Sequence, residues 1–213
     1  IHNVITEYGD ERVQSTITVK HTISGNNVTK IFRNGTQYYA TFVDKNGNLM
    51  KNTDVNFNIN GVFYTRKTDE KGVSRMNINL SPGDYIITAI NPDSSEQHTN
   101  IIKVLPSIVE NHDLTKYFKN DSQYSLRLLD DKGNPVGAGV DIRLNINGVF
   151  YKRTSNDDGY VKMNINLVPG EYTITAEYKG LMASNKIKVL PVIETHDLTM
   201  KHKDGSRFEA KIL

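Results

Sequence analysis

The sequence predicts an all-β chain made of tandem two-layer sandwich modules. Three observations support this prediction. Several motifs return after about 85 residues, apolar and polar residues alternate along short segments, and turn-forming residues separate those segments. Each observation is typical of short strands that bury one side.

The repeat is visible directly in the sequence. Residues 60–64 (NGVFY) return at 147–151, 87 positions later, and the VLP motif at 104–106 returns at 189–191, 85 positions later. Tandem arrays show this kind of fixed period. We expect the final strands of a preceding repeat at 1–24, complete repeats at 25–106 and 107–191, and the opening strands of a following repeat at 192–213.

Apolar residues recur at every second position within each repeat, which is the spacing of a strand with one buried side. In the second repeat the predicted inward-facing residues fall on six segments: Leu114 and Phe118; Tyr124, Leu126 and Leu128; Ile142, Leu144 and Ile146; Val161, Met163, Ile165 and Leu167; Tyr172, Ile174 and Ala176; Ile187 and Val189. Turn residues separate several segments, at 130–135 (DDKGNP), 156–159 (NDDG) and 169–170 (PG). Six or seven such strands in one repeat indicate a two-layer sandwich.

Composition excludes several classes of function. The chain has no cysteine, so disulfides and thiolate chemistry are excluded, and a net charge of +2 without a basic patch makes nucleic acid an unsuitable partner. No signal peptide and no long apolar stretch are present, so we expect an internal fragment that does not insert into a membrane. No pattern typical of a catalytic set, a metal site or a cofactor site is found, and an enzyme is the least supported class.

The segment 166–176 (NLVPGEYTITA), with the DxxGNP turn at 130–135, resembles the immunoglobulin-like repeats of adhesin-like surface proteins of methanogenic archaea. More distantly the chain is similar to bacterial immunoglobulin-like domains of the invasin and intimin type. The resemblance covers essentially the whole chain. It implies tandem immunoglobulin-like β-sandwich modules in a linear rod, on the cell surface and within a larger polypeptide. Fold alone does not assign a function.

Two lysines and two asparagines have inward parity on the first and last strands of a repeat. They are Lys30 with Asn100 and Lys116 with Asn185. Buried lysine and asparagine on neighbouring strands are what a spontaneous isopeptide bond needs, with Asp44 and Asp130 as candidate acids. The alternative is that these polar side chains lie at strand ends and reach water. Each bond would release one ammonia, so intact mass tests the crosslink.

Other candidate positions lie on turns and aromatic pairs. The three Asn-x-Ser/Thr triplets begin at Asn27, Asn34 and Asn120, which are possible glycan acceptors on a surface protein. The pairs Phe63-Tyr64 and Phe150-Tyr151 could stack on sugars, but their repetition favours packing inside or between the sheets. We therefore expect these aromatic pairs to be packed.

Three functions fit these features. The leading hypothesis is a non-enzymatic stalk or spacer of an adhesin, monomeric within its larger chain, that projects a binding region toward an unknown surface glycan or protein of a host or partner cell. Alternatively, the modules bind that ligand themselves through variable loops such as Asn91–Asn100. A head-to-tail filament is a third hypothesis, although residues 1–24 and 197–213 together lack the middle strands of a repeat.

Overall fold

The computed structural model describes residues 1–213 as an all-β chain of twenty strands. The strands are β1 His2–Tyr8, β2 Glu11–Ile17, β3 Ile23–Gly25, β4 Val28–Ile31, β5 Gln37–Phe42, β6 Asp54–Ile59, β7 Val62–Lys67, β8 Val73–Asn77, β9 Gly83–Ile90, β10 Gln97–Leu105, β11 Ile108–Val109, β12 Leu114–Tyr117, β13 Gln123–Leu128, β14 Asp141–Ile146, β15 Val149–Thr154, β16 Tyr160–Asn164, β17 Gly170–Tyr178, β18 Leu181–Leu190, β19 Ile193–Thr195 and β20 Ala210–Ile212. The structure contains no helix that is long and apolar enough to cross a membrane.

The second sandwich, β11 to β18, has one sheet of three strands and one of five. The three-stranded sheet has the order β11-β13-β16, and the five-stranded sheet has the order β12-β18-β17-β14-β15. All the pairings are antiparallel except that of β12 with β18, which is parallel. Two facing sheets with these connections form an immunoglobulin-like sandwich, in which the first strand divides its length between both sheets.

The first sandwich, β3 to β10, repeats this order strand for strand. Its three-stranded sheet is β3-β5-β8 and its five-stranded sheet is β4-β10-β9-β6-β7. The predicted all-β, immunoglobulin-like class is therefore confirmed in both repeats.

The core of the second sandwich confirms the predicted alternation. The residues predicted to face inward are buried or packed against one continuous apolar cluster, while intervening residues such as Arg143 and Lys162 are exposed. At about 25 cal/mol per Å² of buried apolar surface, closing this cluster is the main driving force for folding each repeat. The first sandwich has its own equivalent core, centred on Tyr38, Phe42 and Phe57, whose rings meet edge to face.

Two strands of the second sandwich lie outside the six predicted segments, the two-residue β11 and the edge strand β15. Strand β15 follows β14 through the two-residue turn Asn147-Gly148, where φ is 52° and 80°. Two consecutive positive φ angles define the tight hairpin turn that Asn-Gly favours. The hairpin places β15 at the edge of the five-stranded sheet.

The two ends of the chain form separate two-stranded sheets, β1 with β2 and β19 with β20, and every residue of these strands is exposed. By contacts the chain divides into two compact units, residues 1–30 with 35–104, and residues 31–34 with 105–213. The assignment of the two ends to neighbouring repeats stays a prediction.

Replacing Gly159 tests the turn that joins the two sheets of the second sandwich. Its φ is +80°, and a Cβ there would lie 2.9 Å from Leu128 O and 3.1 Å from Val136 N. We expect Gly159→Ala to lower the free energy of unfolding by about 1–3 kcal/mol, because backbone would have to move and the left-handed conformation would be strained. Chemical denaturation measures the change.

The matched control is Gly137→Ala, because a Cβ at Gly137 meets nothing within 4 Å. It should change stability by less than about 0.5 kcal/mol. Equal effects of the two substitutions would show that close backbone approach at Gly159 is unimportant.

Candidate functional site

A buried lysine lies on β12 of the second sandwich. Lys116 is 3% exposed, and its Nζ donates to the backbone carbonyls of Asn120 at 2.6 Å, Ser122 at 3.1 Å and Ile165 at 3.0 Å. A primary ammonium has three protons to donate, and three carbonyls accept them. We call Lys116 and these three carbonyls the lysine cage.

The lysine cage connects the two sheets. Lys116 belongs to the five-stranded sheet, whereas Asn120 and Ser122 lie in the loop that leads to β13 and Ile165 follows β16, both strands of the three-stranded sheet. Hydrogen bonds with a charged donor are about twice as strong as neutral ones. The side chain therefore fastens the first long strand of the repeat to the facing sheet.

The first sandwich has the same feature. Lys30 is also 3% exposed, and its Nζ donates to Ile78 O at 2.8 Å and Thr36 O at 3.1 Å. Burial lowers the pKa of Lys30 from its ordinary value because a charged amine loses hydration there. Two repeats that differ at many positions thus keep one cross-sheet contact.

The asparagines of the predicted crosslink have other partners. Asn185 Oδ1 accepts from Tyr124 Oη at 2.8 Å and from Asn111 Nδ2 at 2.9 Å. In the first sandwich Asn100 Oδ1 accepts from Tyr38 Oη at 2.7 Å. Each asparagine therefore serves a buried tyrosine hydroxyl, which needs an acceptor inside the sandwich.

The structure does not bring Lys116 and Asn185 together. In the parallel pairing Lys116 lies opposite Val189, and Asn185 comes four residues earlier on β18. At about 3.3 Å per residue the two positions are separated by roughly 13 Å along the strand. Both were expected to face inward, and both do, but their side chains enter separate hydrogen-bond clusters. The geometry gives the crosslink no support in the second sandwich, and in the first Lys30 and Asn100 likewise have separate partners.

The candidate acids form turns. Asp44 Oδ1 accepts from the backbone N–H groups of Asn46 and Asn48, and Asp130 Oδ1 accepts from those of Lys132 and Asn134. The hydrogen bond from the Asn48 side chain lowers the pKa of Asp44, and the backbone hydrogen bond from Asn134 lowers that of Asp130. Carboxylates held in their charged form do not fit the role of protonated acids.

The three possible glycan acceptors differ in their surroundings. Asn120 is exposed, and its Oδ1 accepts from Ser122 N at 3.2 Å. Asn27 is also exposed, but its Oδ1 accepts from Ile101 N at 2.8 Å. Asn34 is half-buried in the turn after β4. Glycosylation at these positions stays a prediction.

The expectation that both aromatic pairs are packed is wrong for the phenylalanines. Phe63 is 66% exposed and Phe150 is 59% exposed, because both lie on edge strands, β7 and β15, on which most residues face solvent. Tyr151 points the other way and packs against the core cluster. Repetition of a residue in both copies therefore did not indicate burial.

The loop between β9 and β10 uses its polar groups within its own sandwich. Asn91 is fully buried, and its Nδ2 donates to Val43 O at 2.8 Å. Glu96 accepts from the backbone N–H and the hydroxyl of Thr22, both at 2.6 Å. These contacts hold the loop that was predicted as a variable ligand-binding segment.

Comparison with known proteins identifies no family. No protein-family model matches the chain, and no curated protein matches it. Among solved structures, the I9–I11 tandem of titin is 14% identical with a TM-score of 0.38, and the likeness covers 88% of this chain and 73% of that one. A putative membrane anchored protein from Corynebacterium diphtheriae is 14% identical with a TM-score of 0.37, and the likeness covers 87% of this chain and 62% of that one.

At these identities the likeness concerns the fold alone. The strand order described above establishes the immunoglobulin-like class independently of it. No group of three or more histidine, aspartate or glutamate side chains in residues 1–213 is placed to hold a metal ion.

Substituting Lys116 measures the contribution of the lysine cage. Lys116→Met keeps the apolar stem but leaves three carbonyls without their donor, so we expect a loss of about 1–3 kcal/mol in the free energy of unfolding. Lys30→Met should act in the same direction in the first sandwich. Chemical denaturation followed by circular dichroism gives both values.

The control is Lys188→Met, because Lys188 is exposed and pairs with Glu171 at 3.1 Å on the surface. Surface ion pairs contribute about 0–1 kcal/mol. If Lys116→Met is as stable as Lys188→Met, the cage does not hold the sheets together.

Alkaline pH tests the buried tyrosines. Burial raises the pKa of Tyr124 to about 12 from 10.0. The unfolded chain therefore loses this proton at lower pH than the folded chain does, so the contribution of Tyr124 is complete below pH 10 and is lost as pH rises toward 12. Tyr124→Phe should flatten the fall in stability over this range.

Urea unfolding at several pH values measures that slope. Tyr117→Phe serves as the control because it removes a hydroxyl from an exposed tyrosine of the same sandwich. An unaltered slope in Tyr124→Phe would mean that Tyr124 does not stay protonated in the folded chain.

Proposed function

We propose that this chain is part of a non-enzymatic cell-surface adhesin, in which the repeats act as a stalk that projects a binding region. The observation that supports this most is the construction of the same sandwich twice in succession, each closed around its own core and each fastened by its own buried lysine. Modules of this kind add length in steps without new chemistry, since their stability is nearly independent of distant copies.

The strand pairing suits a chain under tension. In the second sandwich β12 lies near the start, β18 lies at the end, and the two are parallel neighbours. Force applied to the two ends pulls these strands in opposite directions along their length, so all their hydrogen bonds are loaded together. The lysine cage adds a charged side-chain contact to β12, which opposes its release.

The sequence resemblance to repeats of methanogen adhesin-like proteins supports a position on an archaeal cell surface. The proposed partners are a glycan or protein on another cell, contacted by the region that the stalk carries. Neither nucleic acid nor insertion into a membrane has a part in this proposal.

Pulling the whole chain in a single-molecule force experiment tests the stalk. We expect two separate unfolding events, one for each complete sandwich, because each has its own core. Lys116→Met should lower the unfolding force of one event and leave the other unchanged.

A single event for the whole chain, or a fall in both forces, would contradict the model of independent modules.

Antibodies raised against the chain should also label intact cells of the organism that produces it. Labelling only after the cells are broken would overturn the proposed location.

A further inference from the structure

The five-stranded sheet of the second sandwich presents its side away from the core to solvent, and we call this side the outer face. Across it the strand register aligns Phe150 with Asn145, Asn145 with Thr175, and Thr175 with Ser184. The row crosses four strands and therefore spans roughly 14 Å at about 4.8 Å per strand. It begins at the exposed phenyl ring and continues through amide and hydroxyl groups.

A second row lies beside the first. The register aligns Lys152 with Arg143, Arg143 with Glu177, and Glu177 with Met182. The Arg143 guanidinium lies 4.7 Å from the centre of the Phe150 ring, and its Nε donates to Glu177 Oε2 at 3.1 Å. Its Nη2 also donates to Glu177, so the guanidinium is fixed between ring and carboxylate.

The two rows form an open groove. It has a volume of about 290 Å³ and is lined by Arg143, Asn145, Phe150, Thr175, Glu177 and Met182. Phe150 is 59% exposed and Met182 is 66% exposed. Exposing large apolar side chains to water is unfavourable. Their exposure on the outer face, beside polar groups held in place by hydrogen bonds, therefore indicates a ligand-binding surface.

We propose that this groove binds a neutral oligosaccharide. A sugar ring has apolar C–H faces and a rim of hydroxyl groups that both donate and accept hydrogen bonds. The phenyl ring offers an apolar surface for the first. For the hydroxyl groups, Glu177 is an acceptor, and Asn145 keeps its Nδ2 as a donor while Gly148 N donates to its Oδ1. The Thr175 hydroxyl bonds the Ser184 hydroxyl at 2.9 Å, and each oxygen can accept a further hydrogen bond.

The charges of the groove favour a neutral ligand. Arg143 is paired with Glu177, and Lys152 is paired with Asp141 at 2.7 Å. The groove therefore presents paired charges rather than an excess of either sign, and an anionic or cationic ligand would have to compete with a contact already made. A neutral polyhydroxyl compound can add hydrogen bonds without breaking these pairs.

The first sandwich provides an internal comparison. Phe63 is exposed there as Phe150 is here, but the positions of Arg143, Glu177 and Met182 are held by Asn56, Ile90 and Gln97. The aromatic ring is thus present in both repeats, whereas the guanidinium and carboxylate beside it are present only in the second. The proposed site belongs to the second sandwich and to its sheet face, not to its loops.

Titration of the whole chain with cellohexaose, chitohexaose and mannohexaose, followed by NMR, tests the proposal. We expect at least one to shift resonances of the outer face of the second sandwich with a Kd of roughly 1 mM or tighter. Phe150→Ala should weaken that binding about tenfold, by loss of the stacking surface. Arg143→Asn, which introduces the residue of the first sandwich, should weaken it as well.

Phe63→Ala is the matched control and should leave affinity unchanged. Phe150 and Arg143 are exposed, so both variants should keep the circular dichroism spectrum of the parent chain. The proposal is overturned if none of the three sugars shifts the outer face, if Phe63→Ala weakens binding as much as Phe150→Ala, or if a hyaluronan hexasaccharide binds more tightly than all three.

Discussion

The constraint on which the whole structure depends is that every strand of a repeat must bury alternate side chains against the facing sheet. A polar side chain at an inward position must therefore find its hydrogen-bond partners inside the sandwich. Lys116 and Asn185 both occupy such positions, and each is fully provided with hydrogen-bond partners. An unpaired ammonium in the same place would cost several kcal/mol. The backbone carbonyls around Lys116 are therefore as much a part of the fold as the apolar core.

The repeat, the alternation and the turn residues together predicted the fold class, and the alternation predicted most of the core and the inward direction of the lysines and asparagines. It could not predict which of these side chains meet. A period of two gives the side of the sheet but not the position along it, and the four-residue offset between Lys116 and Asn185 follows from the register of β12 on β18. That register is set by packing between segments that are distant in sequence, and the alternation within each segment does not encode it.

Strand β11 has only two residues, too few to show a period, and two further features were missed for different physical reasons. Strand β15 lies at the edge of a sheet and carries mainly polar and aromatic residues, so it shows little alternation of apolar residues. Only the Asn147-Gly148 turn before it indicates a hairpin. The exposure of Phe150 escapes the prediction because repetition of a residue in both copies does not by itself show which side of the sheet it faces. Once the Asn-Gly hairpin is recognised, pairing Ile146 with Val149 fixes Phe150 opposite Asn145 on the solvent side.

The two sandwiches also show which parts of the sequence are free to vary. Three features recur in both sandwiches: the buried lysine, the tyrosine–asparagine pair and the turn glycines. The first two provide hydrogen-bond partners for buried polar groups, and the glycines occupy backbone positions with positive φ. The outer face has no such requirement, and there Arg143 and Glu177 stand where the first sandwich has Asn56 and Ile90. Since an exposed ion pair adds at most about 1 kcal/mol to stability, folding does not explain this difference. Individual repeats can thus change their outer face without altering the interior that holds each one together.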